Sequence, residues 1–304
     1  MHATSTSPAG PYGNHTIIIG NRSKDYFDGD AVQNPVALQL QDGSVALYYV
    51  GLSCRMSSTG YSARDCEDSA NSSLGVAHAP SPYGPWTRSD TPILSAARPI
   101  GYEGDALANP AVLQQDDGSI LFAYRGRHDE LLAMASAPHW SGPYTRVELA
   151  GASVFPYACE VQYCNSTICL GDKTRLTGAV HDISSWHKSM PSDKFKCLED
   201  PFLFRLQDGS YHMILHNQMD GSTGAHAFSA DGREWNLSQT WAYTRTVKYA
   251  GGSAHSLYRR EEPKLLFEDG YATYLFNAVC RDNSICGEVM ATRLLQPIAL
   301  WHSE

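Results

Sequence analysis

Basic residues are scarce in this chain: Lys and Arg number 23 against 32 Asp and Glu, giving a formal net charge of -9 with only 18% charged residues. A nucleic-acid partner needs clustered cations to displace the counterions of the phosphate backbone, and their absence excludes that class. No run of about 18 apolar residues exists, so no membrane insertion is expected. The start, M-H-A-T-S-T-S-P, has neither a basic n-region nor an apolar h-region and does not read as a signal peptide. The C-x2-C knuckle usual for structural zinc is also missing. What remains is an acidic, polar-faced chain of 304 residues, long enough to bury a large core.

Against these absences stands an excess of glycosylation sequons. Asn14, Asn21, Asn71, Asn165 and Asn236 each head an N-x-S/T triplet, half of all asparagine in the chain. That share exceeds chance and implies a secreted or otherwise extracytoplasmic protein with N-glycans on these residues. The eight cysteines agree with an oxidising compartment. Cys54 with Cys66, and Cys280 with Cys286, are near enough in sequence to staple loops, while Cys159, Cys164, Cys169 and Cys197 crowd one region. Disulfides are expected ahead of a metal centre. No cofactor is required, and a structural calcium ion has no ligand motif behind it.

An internal repeat sets the architecture. Four segments share one plan: D-A-V-Q-N-P-V-A-L-Q-L-Q-D-G-S-V-A-L-Y-Y-V-G from Asp30, D-A-L-A-N-P-A-V-L-Q-Q-D-D-G-S-I-L-F-A-Y-R-G from Asp105, E-D-P-F-L-F-R-L-Q-D-G-S-Y-H-M-I-L-H from Glu199, and R-R-E-E-P-K-L-L-F-E-D-G-Y-A-T-Y-L-F-N from Arg259. Each has a polar residue and Pro, an apolar run of strand length, a D-G turn and a second apolar run, the strongest short hairpin signal. Most are followed by a second element, at 74–87, 132–145 and 226–235, that reads as a strand, a Ser/Pro/Gly turn and an aromatic residue opening a further strand. Four short antiparallel strands, repeated, make propeller blades. Pro at the first residue of each inner strand fits, because a central strand position would lose a ladder hydrogen bond. Residues 2–12 match the second half of a blade, so the chain reads as beginning inside one. The expectation is an all-β, five-bladed β-propeller with its first blade incomplete, forming a single domain over 1–304. The long interval at about 151–196 reads as a Cys-rich insertion or as a divergent blade.

The N-P, N-P, E-D-P and E-E-P strand starts, the D-G-S hairpins and the G-P-W and G-P-Y outer turns carry a resemblance. The chain resembles the five-bladed propeller glycosidases, namely glycoside hydrolase family 43 and its relatives in families 32, 117 and 130. The resemblance spans nearly everything outside 151–196. It implies a glycosidase whose inner strands surround a central funnel, with acids at the strand starts serving as general acid, general base and a third carboxylate that tunes their pKa. The matching positions are Asp30, Asp105, Glu199, Asp200, Glu261 and Glu262. Glu199 and Glu261 occupy the place of the acid in the family E-x-P motif, and Asp200 that of the aspartate in the R-D-P motif of family 32. Arg259, Arg260, His216, His226, Arg125, Asn34 and Asn109 are the candidates to bind the carbohydrate substrate.

The physical case runs beside the resemblance. Cleaving a glycoside takes one protonated and one ionised carboxyl flanking the scissile bond, and family 43 implies inversion with a water nucleophile. Crowded carboxylates raise one another's pKa and keep one protonated. Plainer readings remain open. In a strand, adjacent acids point to opposite faces, so one of each pair is expected to face the site while the other caps backbone or meets solvent. Arg259 and Arg260 form a surface pair by default, and His212 a packed histidine. The incomplete first blade favours a catalytically inactive carbohydrate-binding propeller, whereas the G-H and W-D repeats of protein-binding propellers are missing. Ser229-Ala-Asp-Gly-Arg-Glu-Trp235 approaches a sialidase Asp-box, which is a structural turn.

Overall fold

A computed structural model of the chain describes residues 1–53, 71–96, 107–126, 132–147, 198–217, 223–238, 240–249, 251–282 and 287–294. Asp105, Asn165, the side chain of Asn71, the interval 151–196 and every cysteine except Cys280 lie outside them. Cys280 is disulfide-bonded rather than a free thiol. Every helix or strand element among the described residues is a strand, and no helix there is long and apolar enough to cross a membrane.

The chain divides into two compact units, one of Met1–Thr6 with Pro11–Ser153, the other of Ser7–Gly10 with Val154–Glu304. In the first unit β1 (His2–Thr4) and β2 (Gly13–Thr16) form a ribbon, the half-blade expected from residues 2–12. One blade follows in the order β3 (Ala31–Gln39), β4 (Val45–Ser53), β5 (Asn71–Ala79), β6 (Thr87–Arg88), with β7 (Leu94–Ser95) also on β5. The next orders β8 (Leu107–Gln114), β9 (Ile120–Gly126), β10 (Leu132–Ala137) and β11 (Thr145–Arg146). The second unit holds a blade of β12 (Leu198–Arg205), β13 (Tyr211–Asn217), β14 (Thr223–Ser229) and β15 (Asn236–Leu237), with β16 (Tyr243–Thr244) on β14. A ribbon of β17 (Thr246–Lys248) and β18 (Ala254–Ser256) leads to a three-stranded blade of β19 (Arg259–Glu268), β20 (Tyr271–Cys280) and β21 (Glu288–Arg293). The fold is of the β-propeller class. Where the sequence plan counts five blades, four sheets of three strands or more stand among the described residues.

The repeat explains the hairpins. At Asp42, Asp117 and Asp208 the carboxylate accepts from the backbone N–H of the serine two residues on at 2.9 Å. The serine hydroxyl donates to the same oxygen. The intervening Gly43, Gly118 and Gly209 take φ of 84, 85 and 89°, a region a side chain would resist. Second strands are the most buried, all seven residues of β13 and eight of nine in β4 being shielded. In the first unit one core spans both blades through Tyr48, Leu74, Phe122 and Tyr124, and Tyr144 donates its hydroxyl to Tyr48 at 3.0 Å. In the second, Phe204, Ile214, Leu265 and Leu275 join the two blades. Each such side chain contributes about 1.5–3 kcal/mol by burial, which makes the inner strands a stiff base for whatever they carry.

Candidate active site

All four inner strands among the described residues break step at the same place. Asn34, Asn109, Asp200 and Glu262, each immediately before a proline, have left-handed backbones with φ of 48, 48, 52 and 50°. At each, the ladder carries one residue more than its partner strand: Gln33 to Val36 spans Val50 to Tyr48, Ala108 to Ala111 spans Arg125 to Ala123, Glu199 to Phe202 spans His216 to Ile214, and Glu261 to Lys264 spans Ala278 to Phe276. These are β-bulges, which re-aim side chains and gather at functional sites. Asn and Asp tolerate the left-handed region best. Glu262 lacks their short side chain, and such strain costs about 1–3 kcal/mol.

The bulge overturns the expectation that Glu199 and Asp200 face opposite ways. Both reach the ring of His216, whose Nδ1 lies 3.1 Å from Glu199 Oε1 and 3.8 Å from Asp200 Oδ2. Asp200 Oδ2 also accepts a hydrogen bond from the backbone N–H of Glu262 at 3.2 Å, so the bulges of β12 and β19 are tied together. Lys264 Nζ approaches Glu262 Oε2 at 3.4 Å. The site is thus a cluster of Glu199, Asp200 and Glu262 with His216 and Lys264 at its edges, all within the second unit.

Its electrostatics follow from burial. Asp200 is 4% exposed, and burial pushes its carboxyl well above the usual carboxylate range. The negative charges of Glu262 and Glu199 add to the shift, opposed by Lys264 and the Glu262 amide. Asp200 therefore holds its proton to higher pH than an ordinary carboxyl, next to two more accessible carboxyls, with side chains 14% exposed at Glu199 and 36% at Glu262. That juxtaposition of a proton source with carboxylates is what acid/base chemistry needs. Donor atoms of Glu199, Asp200 and His216 lie within 4.8 Å of one another, and two carboxylates with an imidazole form a donor set for a divalent cation.

The remaining sequence candidates separate. Glu261 is met by Arg259, whose Nε lies 2.8 Å from Oε1. Arg260 is no surface residue: it is 4% exposed and its guanidinium bonds to Asn277, Thr244 and Thr292. His226 is likewise buried, with its ring stacked on His212 and its Nε2 2.9 Å from His212 Nδ1. Burial, with the neighbouring His212, pushes the His226 imidazole down to about 3. Neither Arg260 nor His226 is open to a sugar. In the first unit, Asn34 and Asn109 hold the equivalent bulges, Arg125 faces Ala108 across β8 and β9, and Asp30 sits before β3 with its N–H on the Leu52 carbonyl. Lys264, Tyr243 and Asn277 were not singled out from the sequence. Asn277 and Arg260 carried a readable signal, as polar residues at positions that the repeat otherwise fills with apolar or aromatic ones. The turn at Ser229–Trp235 is structural as expected: Asp231 accepts from the N–H groups of Arg233 and Glu234, and Trp235 donates to the Gly232 carbonyl.

No family profile and no curated protein matches this chain. Solved structures do. A family 117 glycoside hydrolase from the marine bacterium Zobellia galactanivorans aligns with a TM-score of 0.53 at 14% identity, over 88% of this chain and 60% of its own. An endo-arabinase from Bacteroides thetaiotaomicron aligns with a TM-score of 0.52 at 15% identity, over 94% of this chain and 83% of its own. A thermostable family-43 glycoside hydrolase aligns at 0.50 and 12% identity, over 89% and 73%. The chain spans about 60% of the length of the family 117 enzyme. At these identities the likeness is one of fold: the chain has the β-propeller architecture that these glycoside hydrolases share.

Proposed function

We propose that the chain is a glycoside hydrolase acting on an oligo- or polysaccharide through the carboxyl cluster of its second unit. The observation that carries this reading is the convergence of Glu199, Asp200 and Glu262 at two bulges, with Asp200 buried against the other two acids. Glu199 and Glu262 are the carboxyls that meet the sugar. Asp200, its carboxyl raised by burial and by these two neighbours, is the proton source of the set, since glycosidic cleavage requires one protonated and one ionised carboxyl. His216 orients Glu199, and Lys264 Nζ holds Glu262 Oε2 at 3.4 Å. The assigned course is inversion, with one carboxyl protonating the leaving oxygen and the other activating water.

The test is a panel of aryl glycosides and plant or algal polysaccharides, with the anomeric configuration of the first product followed by NMR. Turnover with inverted product supports the reading in full, and retained configuration replaces the water nucleophile by a carboxylate. Binding without turnover across the panel defeats it in favour of the second reading, an inactive carbohydrate-binding propeller. One observation favours that alternative: the bulges of the first unit carry the neutral amides Asn34 and Asn109, which donate no proton to a leaving group.

We further propose that the 304 residues work as one propeller domain, extracytoplasmic, glycosylated and disulfide-stapled. In support, Asn14, Asn21 and Asn236 are exposed. Digestion with an N-glycanase should lower the apparent mass of secreted protein, and an unchanged mass removes the glycan assignment.

A further inference from the structure

The four blades repeat one another closely enough that a departure is informative. Two residues before each bulge residue the inner strand has Val32, Leu107, Leu198 and Arg260. On the neighbouring strand, the residue preceding the partner of Gln33, Ala108, Glu199 or Glu261 is Tyr49, Tyr124, Leu215 or Asn277, all four buried. The last blade therefore buries an arginine and an asparagine where its sisters place apolar or aromatic side chains, half-buried at Val32 and buried at the rest. No carboxylate pairs with Arg260 among the described residues. Its Nε donates to Asn277 Oδ1 at 2.8 Å, its Nη1 to the Thr244 carbonyl at 2.8 Å and its Nη2 to Thr292 Oγ1 at 3.1 Å. Its guanidinium lies 4.9 Å from the centre of the Tyr243 ring. A buried charge without an ion partner is poor evidence of stabilisation, and rule-breaking of this kind concentrates at functional sites.

What the network holds is one peptide unit. Asn277, oriented through its Oδ1 by Arg260, donates from Nδ2 to the Glu261 carbonyl at 3.1 Å. The same planar peptide ends in the Glu262 N–H, which donates to Asp200 Oδ2 at 3.2 Å. The peptide is gripped at both ends, and rotating it would release Glu262 from its left-handed conformation. We infer that Arg260 is a positioning residue: through Asn277 it locks the Glu261–Glu262 peptide and so fixes where the Glu262 carboxyl sits beside Asp200. Tyr243 completes the mount, its hydroxyl donating to the Arg260 carbonyl at 3.4 Å. This inference deepens the carboxyl-site reading, and it rests on that reading for its kinetic arm alone.

The experiment compares wild type with Arg260→Leu, Arg260→Lys and Asn277→Leu by thermal melting, by hydrogen exchange at the Glu262 amide and by steady-state kinetics. Leu is the residue that two sister blades carry at the Arg260 position, so Arg260→Leu is expected to melt no lower than wild type. Exchange at the Glu262 amide should accelerate about tenfold or more in Arg260→Leu and Asn277→Leu while amides of the first unit stay unchanged. Arg260→Lys keeps the charge but loses the planar fork, and should share the exchange defect. On any substrate that the wild type turns over, kcat should fall about 100-fold with KM little changed, the cost of a misplaced reacting group. Unchanged exchange in both Leu variants overturns the inference, as does faster exchange with kcat intact. Should Arg260→Leu fail to fold, Asn277→Leu decides alone. Absence of wild-type turnover counts against the hydrolase reading, and the exchange arm still decides the positioning role.

Discussion

Among the described residues each of the two units buries one aspartate, and the two are held in opposite ways. Asp28, in the first unit and 0% exposed, accepts from Arg22 Nε at 2.8 Å, from Arg88 Nη1 at 3.0 Å and from the Tyr49 hydroxyl at 2.9 Å. Two cations compensate the charge, and the carboxylate anchors the loop before β3 against its own blade, with Phe27 packed near Tyr49. Asp200 has instead two carboxylates as its strongest charged neighbours, and Lys264 opposes them only in part. The same difference separates the bulges, which carry amides in the first unit and acids in the second. Compensation makes Asp28 a structural clamp. Withholding it raises the Asp200 carboxyl above the usual carboxylate range, which is how a site trades stability for reactivity.

The comparison can be broken most severely at the acids. Glu262→Gln and Glu199→Gln should each lower kcat/KM about 10²–10⁴-fold, while Asn34→Ala and Asn109→Ala should each cost less than about tenfold. Equal losses from the two units would erase the distinction drawn between them. Next in size is the clamp: Asp28→Asn leaves Arg22 and Arg88 without their buried partner and should cost about 3–5 kcal/mol in urea denaturation at pH 7. Asp200→Asn under the same conditions should be neutral or stabilising, because an amide keeps an acceptor for the Glu262 N–H and removes the crowding. Destabilisation of the same size in both would mean that Asp200 is a structural carboxylate too.

Smaller effects appear against pH. Since the folded Asp200 titrates above its unfolded value, the native state binds a proton that the unfolded chain has released. Its contribution is fully present below the unfolded carboxylate range and is lost as pH rises toward the native titration, at up to about 1.4 kcal/mol per pH unit. Asp200→Asn should flatten that decline. His226 acts with the opposite sign. Its pKa is depressed from 6.5 to about 3, so stability is retained above pH 6.5 and falls as acid protonates the unfolded chain first. His226→Phe, placed against His212 and Phe228, should lessen acid lability between those two values. An unaltered acid limb would show that the histidine pair is not what titrates.

Much of this architecture is legible in the sequence because it is local. The D-G-S turns and pre-proline acids occupy a few residues each and recur, so the hairpins β3–β4, β8–β9, β12–β13 and β19–β20 fall where the repeat places them. Glu199, Asp200 and Glu262 are readable for the same reason. Their convergence is not, since a strict alternation along the strand sends Glu199 and Asp200 apart, and only the left-handed pre-proline residue turns them together. Arg260 reads as half of a surface doublet until the core around Asn277 and Tyr243 is seen to enclose it. The Asp28 clamp draws on residues 22, 49 and 88, which share no motif and meet only by folding.

The most direct test of the central claim is the protonation state of Asp200 itself. Wild-type protein labelled with ¹³C at aspartate carboxyl carbons, with Asp200→Asn used to assign the resonance, would be titrated by NMR through neutral pH. The account predicts that the Asp200 carboxyl keeps its proton well above the ordinary carboxylate range and that its titration shifts in Glu262→Gln and Glu199→Gln. A resonance that titrates within that ordinary range and ignores both substitutions would contradict it.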